Sequence, residues 1–503
     1  MAQSGSPIIY WVRRDFRLGD NPALAHAAAT GASVVPVYVY DHDLEGRPIG
    51  AAAKWWLWRT LLKFGESLAR IGSQLVLRSG DAGAELGLLI AQTGARTVVF
   101  NRLPEPDANL RDDRIAQALR AAGVEVIAFD ADTLVPLGQI KSAAGFPYKV
   151  FTPFFRALRA QLRSPVLPPR PHRLMPPAVW PKSERIEDWR LYPRAASWAA
   201  GFEGWRPGEE GAEDALQGFR ESSLAAYAVS RDAPGVAGTT RLSPHLHWGE
   251  ISPRRVLAAA EAASAERPTC SAGAEKLISE LAWREFNRHL LAAFPSLPTR
   301  SFDRRFERFA WRQDPAGLEA WRTGRTGYPL VDAGMRELWA TGFMHNRVRM
   351  VAASFLIKHL LIDWRQGEAW FWDTLLDADL ANNAANWQWV AGSGADASPF
   401  FRIFNPTAQG ERFDADGAYV RRWVPELARI ADHYIHAPWK APEAVLQAAG
   451  VRLGSSYPRP IVDHDRARRA ALDALGAMQG KLDSVPSEDS QMTHRSQPHE
   501  AWS

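Results

Sequence analysis

Cysteine is almost absent from this chain, because Cys270 is the only one among 503 residues. A single cysteine excludes an internal disulfide framework, and it excludes any zinc or iron–sulfur centre that needs four cysteines. One free cysteine is also typical of a reducing compartment. We therefore expect a cytoplasmic protein that holds no metal ion.

Long apolar runs are missing as well. No stretch approaches the roughly 20 apolar residues that span a bilayer. Residues 1–7 lack the basic and apolar regions of a signal peptide. The net charge is only +4, from 60 basic and 56 acidic residues, and this excess is too small to indicate nucleic-acid binding by itself. We expect a monomer without membrane association.

The common catalytic signatures are also lacking. The sequence has no G-x-G-x-x-G after its first apolar run, no P-loop, no G-x-S-x-G and no H-E-x-x-H. His245 and His247 are two residues apart, but two histidines are a weak sign of a metal site, and packing roles are favoured. Tryptophan, in contrast, is abundant, with 21 residues. Such rings serve as core filler, stacking platforms or redox relays, and core filler is the commonest of these roles.

The first 130 residues alternate between two patterns. Apolar, β-rich runs occur at 8–12, 33–40, 74–77, 97–100 and 124–129. Helical spacing occurs between them, at 21–30, 51–71, 82–93 and 110–122. Strands that alternate with helices indicate a parallel sheet with helices on both faces. The sequence therefore predicts an α/β domain with a doubly wound parallel sheet over residues 1–130.

The rest of the chain predicts a linker, a helical domain and a tail. Seven prolines fall between Pro165 and Pro181, and proline fixes φ and removes a backbone donor. We therefore predict a proline-rich interdomain linker over 131–205. Helical spacing, as at 209–222, 276–293 and 347–363, predicts a large all-α domain over 206–475. Residues 476–503 are polar and predict a disordered tail.

Residues 327–409 place polar side chains inside segments that are apolar enough to be buried. The segments read G-Y-P-L-V-D-A-G-M-R-E-L, F-M-H-N-R-V-R-M, D-A-D-L-A-N-N-A-A-N-W-Q-W and F-F-R-I-F-N-P-T-A-Q. Buried charges such as Arg349, Asp377 and Asp379 would each need a partner. Either these residues form a structural Arg–Asp network, or they hold a polar cofactor inside the helical domain. Their number favours the cofactor.

These motifs, together with W-V-R-R-D-F-R-L-G-D-N-P-A-L at residues 11–24, resemble the photolyase/cryptochrome family from residue 7 to about residue 475. The resemblance implies FAD in the all-α domain and an antenna chromophore near the α/β domain. The antenna would be a folate or a deazaflavin. One subgroup binds folate through a glutamate that Ala108 replaces here, so a different folate contact or an empty site also remains open.

The resemblance also assigns residues to the flavin. Its contacts would be Tyr227, Thr239, Thr240, Arg241, Leu242, Ser243, Arg349, Asp377, Asp379 and Asn383. The hydroxyls at 239–243 precede a helix-like stretch, where they suit either a pyrophosphate or plain helix capping. Arg349 and Asp377 look like the family's salt bridge beside the isoalloxazine, and Asn383 falls where a residue faces flavin N5.

Three tryptophans align with the family's electron relay. Trp311, Trp364 and Trp387 match the triad that carries electrons from the surface to photo-excited flavin. Without the resemblance, three packed core rings would be the favoured interpretation.

The segment S-E-L-A-W-R-E-F at 279–286 resembles the lesion-binding motif of pyrimidine-dimer photolyases. Glu280 and Trp283 are three residues apart, so on a helix they share a face. The resemblance assigns catalysis to Glu280, Trp283, Met350 and Asn383. It assigns DNA contacts to Arg231, Glu280, Trp283, Arg284, Asn346, Arg347, Trp389 and Gln409. Outside this family, Glu280 would be read as a solvated carboxylate and Trp283 as a core ring.

Two positions narrow the branch of the family. Enzymes that repair (6-4) lesions carry histidines where this chain has Asn346 and Met350. We therefore predict a photolyase that repairs cyclobutane pyrimidine dimers in UV-damaged DNA, by light-driven electron transfer from FADH⁻ to the flipped lesion. The alternatives are a cryptochrome-type blue-light photoreceptor with little or no repair, and a flavin electron-transfer protein with no DNA role.

Overall fold

A computed structural model describes residues 6–41, 47–192, 198–397 and 401–480. Its five strands are β1 Ile8–Val12, β2 Val34–Tyr40, β3 Val76–Ser79, β4 Thr97–Asn101 and β5 Glu125–Phe129. All neighbouring strands are parallel, in the order β3-β2-β1-β4-β5. Ile8 of the central strand β1 lies opposite Val34 on one side and Thr97 on the other.

Helices follow each of the first four strands. They are α1 Pro22–Ala29, α2 Ala51–Arg70, α3 Ala82–Thr93 and α4 Pro106–Ala121. Polar caps begin two of them: Asn21 accepts a hydrogen bond from the backbone of Leu24, and Asp81 accepts one from that of Ala84. Two separate apolar clusters cover the sheet, one containing Ile8, Tyr10 and Val12 and the other Ile9 and Trp11. Successive residues of β1 thus enter opposite cores, and the doubly wound α/β prediction is confirmed.

The region predicted to be a linker contains a further helix, α5 Phe151–Gln161. It packs against the helix that carries Glu280, and Phe151, Phe154 and Leu158 are buried. A linker over the whole of 131–205 was therefore wrong. The prolines between Pro165 and Pro181 argue against regular structure only where they stand, and α5 ends before the first of them.

The remaining helices form the second domain. They are α6 Glu209–Ser222, α7 Tyr227–Ser230, α8 Ser243–His247, α9 Pro253–Glu266, α10 Ser271–Ala293, α11 Pro315–Arg322, α12 Pro329–Thr341, α13 Asn346–Ser354, α14 Trp364–Thr374, α15 Leu380–Ala391, α16 Pro406–Phe413, α17 Ala418–Trp423, α18 Asp432–Ile435, α19 Glu443–Ala449 and α20 His464–Met478. No named strand occurs among the described residues after β5. The predicted all-α domain is confirmed.

Helix α10 lies at the centre of this domain, where it contacts α5, α9 and α15. A π-helical turn, Phe355–His359, follows α13, so the single helix predicted over 347–363 is interrupted. Helix α20 continues three residues into the predicted tail, and 481–503 lie outside the described residues. Across the described ranges, every helix is too short or too polar to span a membrane.

Gly273 is the point at which α10 passes the backbone of Leu224. A Cβ atom at this position would overlap the Leu224 carbonyl oxygen. We expect Gly273→Ala to lower the free energy of unfolding by about 1–3 kcal/mol, because the helix must move away from its neighbour. Urea unfolding of both proteins measures the change.

Gly218→Ala is the matched control, because a Cβ at this glycine of α6 meets nothing within 4 Å. It should leave stability unchanged or raise it by up to about 1 kcal/mol. Equal losses in the two variants would show that the close approach at Gly273 does not matter.

Candidate functional site

A deep cleft opens in the helical domain between α10 and the segments that lead into α8, α13 and α15. It holds about 1100 Å³ of space, including its open mouth. All ten side chains predicted to contact flavin line it, namely Tyr227, Thr239, Thr240, Arg241, Leu242, Ser243, Arg349, Asp377, Asp379 and Asn383. The fold therefore brings together residues that are widely separated along the chain.

Arg349 and Asp377 form an ion pair in the wall of this cleft. One guanidinium nitrogen of Arg349, Nη2, lies 2.8 and 3.1 Å from the two Asp377 oxygens. Its Nε donates to the carbonyl of Met344 at 2.7 Å, which fixes the plane of the group. Both residues are largely buried. The pair places a fixed cation and a fixed anion against whatever occupies the cleft.

Asp379 caps the N-terminus of α15 by accepting a hydrogen bond from the backbone of Asn382 at 2.9 Å. Arg288 donates to its carboxylate at 2.8 Å, and His247 lies 3.7 Å away. Burial acts to raise the pKa of Asp379, but Arg288 and His247 hold that pKa well below its ordinary value. The cleft therefore contains a carboxylate that stays charged and accepts hydrogen bonds from a ligand.

Asn383 lies one turn further along α15. Its side-chain nitrogen donates to the carbonyl oxygen of Glu368 at 3.0 Å and to its carboxylate at 2.7 Å. Arg47 holds that carboxylate from the other side at 2.6 Å. Since a carboxylate only accepts, the Asn383 amide must present its oxygen elsewhere. That buried oxygen, Oδ1, has no hydrogen-bond partner among the described residues, so it is available to an N–H of a ligand.

Residues 239–243, which include three hydroxyl side chains, line the cleft just before and at the start of helix α8. Helix α8 begins at Ser243 and is only five residues long, and Leu242 provides no side-chain cap. The Thr240 hydroxyl accepts instead from the backbone of Leu242 at 3.2 Å. Arg241 has a positive φ of 53° and packs over the ring of Trp205. The segment thus contributes hydroxyls to the cleft just ahead of a short helix.

Arg284 does not face the outside of the domain. It is buried, and its Nη2 lies 2.6 Å from Asp132 while Nη1 donates to the Asp132 carbonyl at 2.8 Å. It lines the cleft, and burial lowers its pKa. Arg284 thus has its partners inside the domain, and its contact with a DNA phosphate stays a prediction.

Arg231 and Arg347, predicted to contact the DNA backbone, are also largely buried. Arg231 lies 3.1 Å from Glu280 and 3.0 Å from Asp232, and Arg347 lies 3.1 Å from the same Asp232. Burial disfavours the charge of Arg231, but Glu280, Tyr227 and Asp232 outweigh it and raise its pKa. Arg231 lines the cleft and Arg347 is tied to it through Asp232, and their contacts with the DNA backbone stay predictions.

The residues predicted to bind the lesion gather beside the flavin-type residues. Glu280 and Asn346 line the main cleft, and both amide atoms of Asn346 lack a partner within the described ranges. Trp283 and Trp389 line a small apolar cleft next to it, and Asn386 borders both. A planar, uncharged group entering here would meet polar atoms on one side and indole rings on the other.

Two predicted site residues lie outside both clefts. Met350 is buried in the core one turn beyond Asn346, and it lines neither cleft. Gln409 is partly exposed on α16 and also lines neither. Met350 packs in the core of the helical domain, and the catalytic role assigned to it stays a prediction. The DNA contact of Gln409 stays a prediction.

Trp283 owes its position to the helix that the sequence did not reveal. Its ring stacks on Phe151 of α5 with centroids 3.7 Å apart and planes within 5°. On the far side of the small cleft, the guanidinium of Arg402 lies 4.7 Å from the Trp389 ring. These contacts hold the two indoles as the walls of the small cleft.

Trp387, Trp364 and Trp311 lie at increasing exposure. The first two are fully buried and the third is partly exposed. A Cβ at Gly367, one turn after Trp364, would strike the Trp387 ring, so α14 touches that ring. The backbone nitrogen next to Trp311, that of Arg312, donates to the carbonyl of Leu361 just before α14 at 2.7 Å. The order suits a relay, whose function stays a prediction.

Several residues of the site had no clear signal in the sequence. Glu368 and Arg288 act through partners 15 and 91 positions away, Asn383 and Asp379. His247 was set aside as a packing residue, yet it lines the cleft, and burial lowers its pKa. His245 does pack, against Trp56, and pairs with Glu250 at 2.5 Å. Only the three-dimensional arrangement separates the two histidines.

In the α/β domain the strand order reverses between β1 and β4, and ligands commonly bind at the carboxyl ends of strands at such a point. Buried ion pairs, Arg13 with Asp112 and Arg14 with Glu105, occupy this edge. Ala108 is fully buried in α4.

Comparison with known proteins gives the family. Residues 8–173 match the family model described as DNA photolyase, and residues 277–477 match that described as the FAD binding domain of DNA photolyase. A deoxyribodipyrimidine photo-lyase from Agrobacterium fabrum is 50% identical over 481 residues, covering 95% of this chain and 99% of that protein. The chain belongs to the photolyase/cryptochrome family. The predicted family and a photolyase-type enzyme are thus confirmed.

Both branches of the photolyase/cryptochrome family appear among the relatives. Cryptochrome-1 from Arabidopsis thaliana is 39% identical over 492 residues, covering 94% of this chain and 71% of that protein. The crystal structure of a bacterial class III photolyase from Agrobacterium tumefaciens has a TM-score of 0.92 and 49% identity, and the match covers 95% of this chain and 99% of that chain. The family alone therefore leaves repair and photoreception to be separated by the site.

The cleft fits the FAD expected in this family. Its donor set combines a fixed Arg349–Asp377 pair, the charged carboxylate of Asp379 and the hydroxyls of 239–243. The unpartnered Asn383 oxygen suits the N–H group of a reduced flavin ring. These groups match the pyrophosphate, ribityl and ring of the cofactor in chemical type.

Proposed function

We propose that this protein repairs cyclobutane pyrimidine dimers in DNA with the energy of light. The observation that carries the proposal is the shared cleft: Glu280 and Asn346 line the same cavity as the ten flavin-type residues. A dimer of adjacent pyrimidines that enters this cleft would therefore reach the cofactor with no protein layer between them. Contact of that kind is what electron transfer to a lesion requires.

The chain's own residues hold the cofactor and protect it. Arg349, Asp377 and Asp379 bind its polar groups, and Asn383, oriented by Glu368, accepts a hydrogen bond from its ring. Bound and reduced FAD supplies a photo-excitable electron donor. The buried walls exclude water from this contact, which strengthens each electrostatic interaction within the cleft.

The lesion would enter as a flipped dinucleotide, as for other enzymes that act on a base outside the duplex. Trp283 and Trp389 offer apolar walls for the saturated rings, while Glu280 and Asn346 offer hydrogen bonds to the base edges. When the dimer gains an electron, these fixed polar groups stabilise the new charge without having to rearrange. The two bonds of the cyclobutane ring then break, and the electron returns.

A cryptochrome-type photoreceptor is the second candidate, favoured by the Arabidopsis relative. It would use the same flavin residues and the same tryptophans. It would not need Glu280 and Asn346 to face the cofactor, and this arrangement supports repair instead. A flavin electron-transfer protein without DNA binding would need neither Glu280 and Asn346 in the cleft nor the indole rings of Trp283 and Trp389 beside it.

Repair of an oligonucleotide with one thymine dimer tests the proposal. The photoreduced protein is mixed with the oligonucleotide, and dimer loss is followed in light and in darkness. Loss in light alone supports the photolyase. Absence of loss, with flavin bound and reduced, would favour the photoreceptor, and absence of any preference for damaged DNA would favour the electron-transfer protein.

A second chromophore belongs to the same proposal. We infer that an antenna, a folate or a deazaflavin, binds near the α/β domain. Chromophores released from purified protein and identified by absorption and mass would decide between the two. Release of flavin alone from protein purified without loss of small molecules would contradict the antenna.

Trp387→Phe should reduce photoreduction of the flavin to a small fraction of the unsubstituted rate. Phenylalanine is much harder to oxidise than tryptophan, so the inner step of the relay is lost. Absorption under blue light with an external reductant measures the rate. Repair by chemically reduced protein should continue, because the relay is not used in the repair step.

Trp55→Phe is the matched control, because Trp55 is another fully buried indole but packs on Phe202 in the α/β core. It should photoreduce normally. Normal photoreduction in Trp387→Phe as well would remove Trp387 from the relay.

A further inference from the structure

Glu280 is flanked by two cations that come from different directions. Arg231 lies 3.1 Å from one carboxylate oxygen, and Lys276 lies 2.8 Å from the other. Lys276 stands one turn before Glu280 on α10, an arrangement in which side chains meet. The sequence comparison with the family motif did not single out this lysine. Lys276 therefore lies directly beside the carboxylate that we propose binds the lesion.

The two cations differ in how firmly they are held. Only 5% of the Arg231 side chain is exposed, and it also pairs with Asp232, so it is locked in place. The Lys276 side chain is 17% exposed, and Glu280 is its ion-pair partner within the described ranges. A lysine is a compact charge on a flexible stem, whereas an arginine is a planar fork. Lys276 is therefore the member of the pair that can change partner.

The charge around Glu280 favours the approach of an anion. Lys276, Arg231 and Arg347 contribute three positive charges, and Glu280 and Asp232 contribute two negative charges. Tyr227 also faces Glu280 from α7, but as a neutral group, since burial and the nearby Glu280 raise its pKa further above neutrality. Among the described residues, these ion pairs join three cations to two carboxylates beside the cleft, so an anion can add to them. A backbone phosphate is the anion that a flipped dinucleotide would bring to this cleft.

We propose that Lys276 is a positioning residue for the lesion: it pairs with Glu280 in the free protein and moves to a backbone phosphate of the flipped dinucleotide. This rests on the proposed repair function. The move releases one oxygen of Glu280 for hydrogen bonds to the damaged bases. Glu280 then stays paired with Arg231, and Lys276 is paired with the phosphate. Undamaged duplex does not flip into the cleft, so with it Lys276 stays on Glu280.

The test compares two DNA duplexes, one with a single thymine dimer and one undamaged, bound in darkness over a series of salt concentrations. Each phosphate contact contributes about 0.9 to the slope of log affinity against log salt, which corresponds to about eightfold in affinity at ~0.1 M salt. Lys276→Gln should make the negative slope for the damaged duplex less steep by about 0.9 and leave the slope for the undamaged duplex unchanged.

Two further variants separate a phosphate contact from a structural effect. Lys276→Arg keeps the charge and should restore the slope. Lys63→Gln removes a lysine that pairs with Glu66 on the surface of α2, and should change neither slope. In light, Lys276→Gln should raise the DNA concentration needed for half-maximal repair much more than it lowers repair at saturation, and its flavin spectrum should be unchanged.

An unchanged slope for damaged DNA in Lys276→Gln would overturn the inference. Equal losses for both duplexes would also overturn it, because they would show an ordinary surface contact, and so would loss of flavin. Failure of the unsubstituted protein to repair the dimer would instead overturn the proposed function, and the partner exchange with it.

Discussion

Replacing Asp377 by alanine is expected to strip the protein of its flavin. Arg349 would then remain buried in the cleft wall without the carboxylate that lies 2.8 Å from it. Removing one partner of a buried ion pair costs about 3–5 kcal/mol, which corresponds to roughly 100-fold to 4000-fold weaker binding if the loss falls on the cofactor complex. The ratio of flavin to protein absorbance after purification measures the outcome, and titration of the apoprotein with FAD gives the affinity.

Asp432→Ala is the matched control for this prediction. Asp432 also pairs with an arginine, Arg421 at 2.5 Å, but its side chain is 69% exposed. Exposed pairs contribute only about 0–1 kcal/mol, so this variant should keep its flavin. Full flavin content in Asp377→Ala would show that the Arg349–Asp377 pair is not part of the cofactor site.

Replacing Glu280 by alanine is expected to lower repair by roughly tenfold to a hundredfold while leaving flavin content intact. Removal of one fixed group that stabilises transition-state charge commonly costs about 10²-fold or more. Glu280 lines the cleft but stands apart from the Arg349–Asp377 pair, so the cofactor should remain. Dimers repaired per absorbed photon, measured at saturating DNA, give the effect free of binding differences.

Glu275→Ala is the control on the same helix, since Glu275 pairs with Arg159 at the surface and is 54% exposed. It should repair normally. Glu280→Gln tests the charge separately, because it keeps the size of the side chain. Loss of flavin together with repair in Glu280→Ala would make Glu280 a structural residue and would remove the argument for its role in repair.

The sequence predicted secondary structure best where the burial of each residue can be inferred from its own type. Continuous apolar runs predicted the positions of all five strands, since strands of a parallel sheet are buried on both faces. It was less informative where a pattern depends on neighbours. The proline cluster at 165–181 predicted a linker over 131–205, so α5 was not predicted. The apolar spacing over 347–363 is continuous, and it did not reveal the π-helical turn at Phe355–His359.

The candidate site divides in the same way. All ten flavin contacts predicted from the family motifs line one cleft, because these motifs carry the residue types that a buried polar cofactor demands. The partners of the arginines could not be predicted in this way. Arg284, Arg231 and Arg347 looked like phosphate ligands in the sequence, but each is paired with a buried or half-buried carboxylate from a distant segment or an adjacent residue.

By itself, the sequence determined the two-domain class, the family, and the side chains available for flavin and lesion. The class follows from the periodicity of apolar residues, and the family and these side chains follow from the resemblance of the motifs to the photolyase/cryptochrome family; both depend on local sequence. Only the tertiary structure decided which charges face a ligand and which face each other. A guanidinium on a helix becomes a DNA contact or a buried partner according to what packs against it, and that neighbour, such as Asp132 for Arg284 or Glu280 for Lys276, is set by the fold.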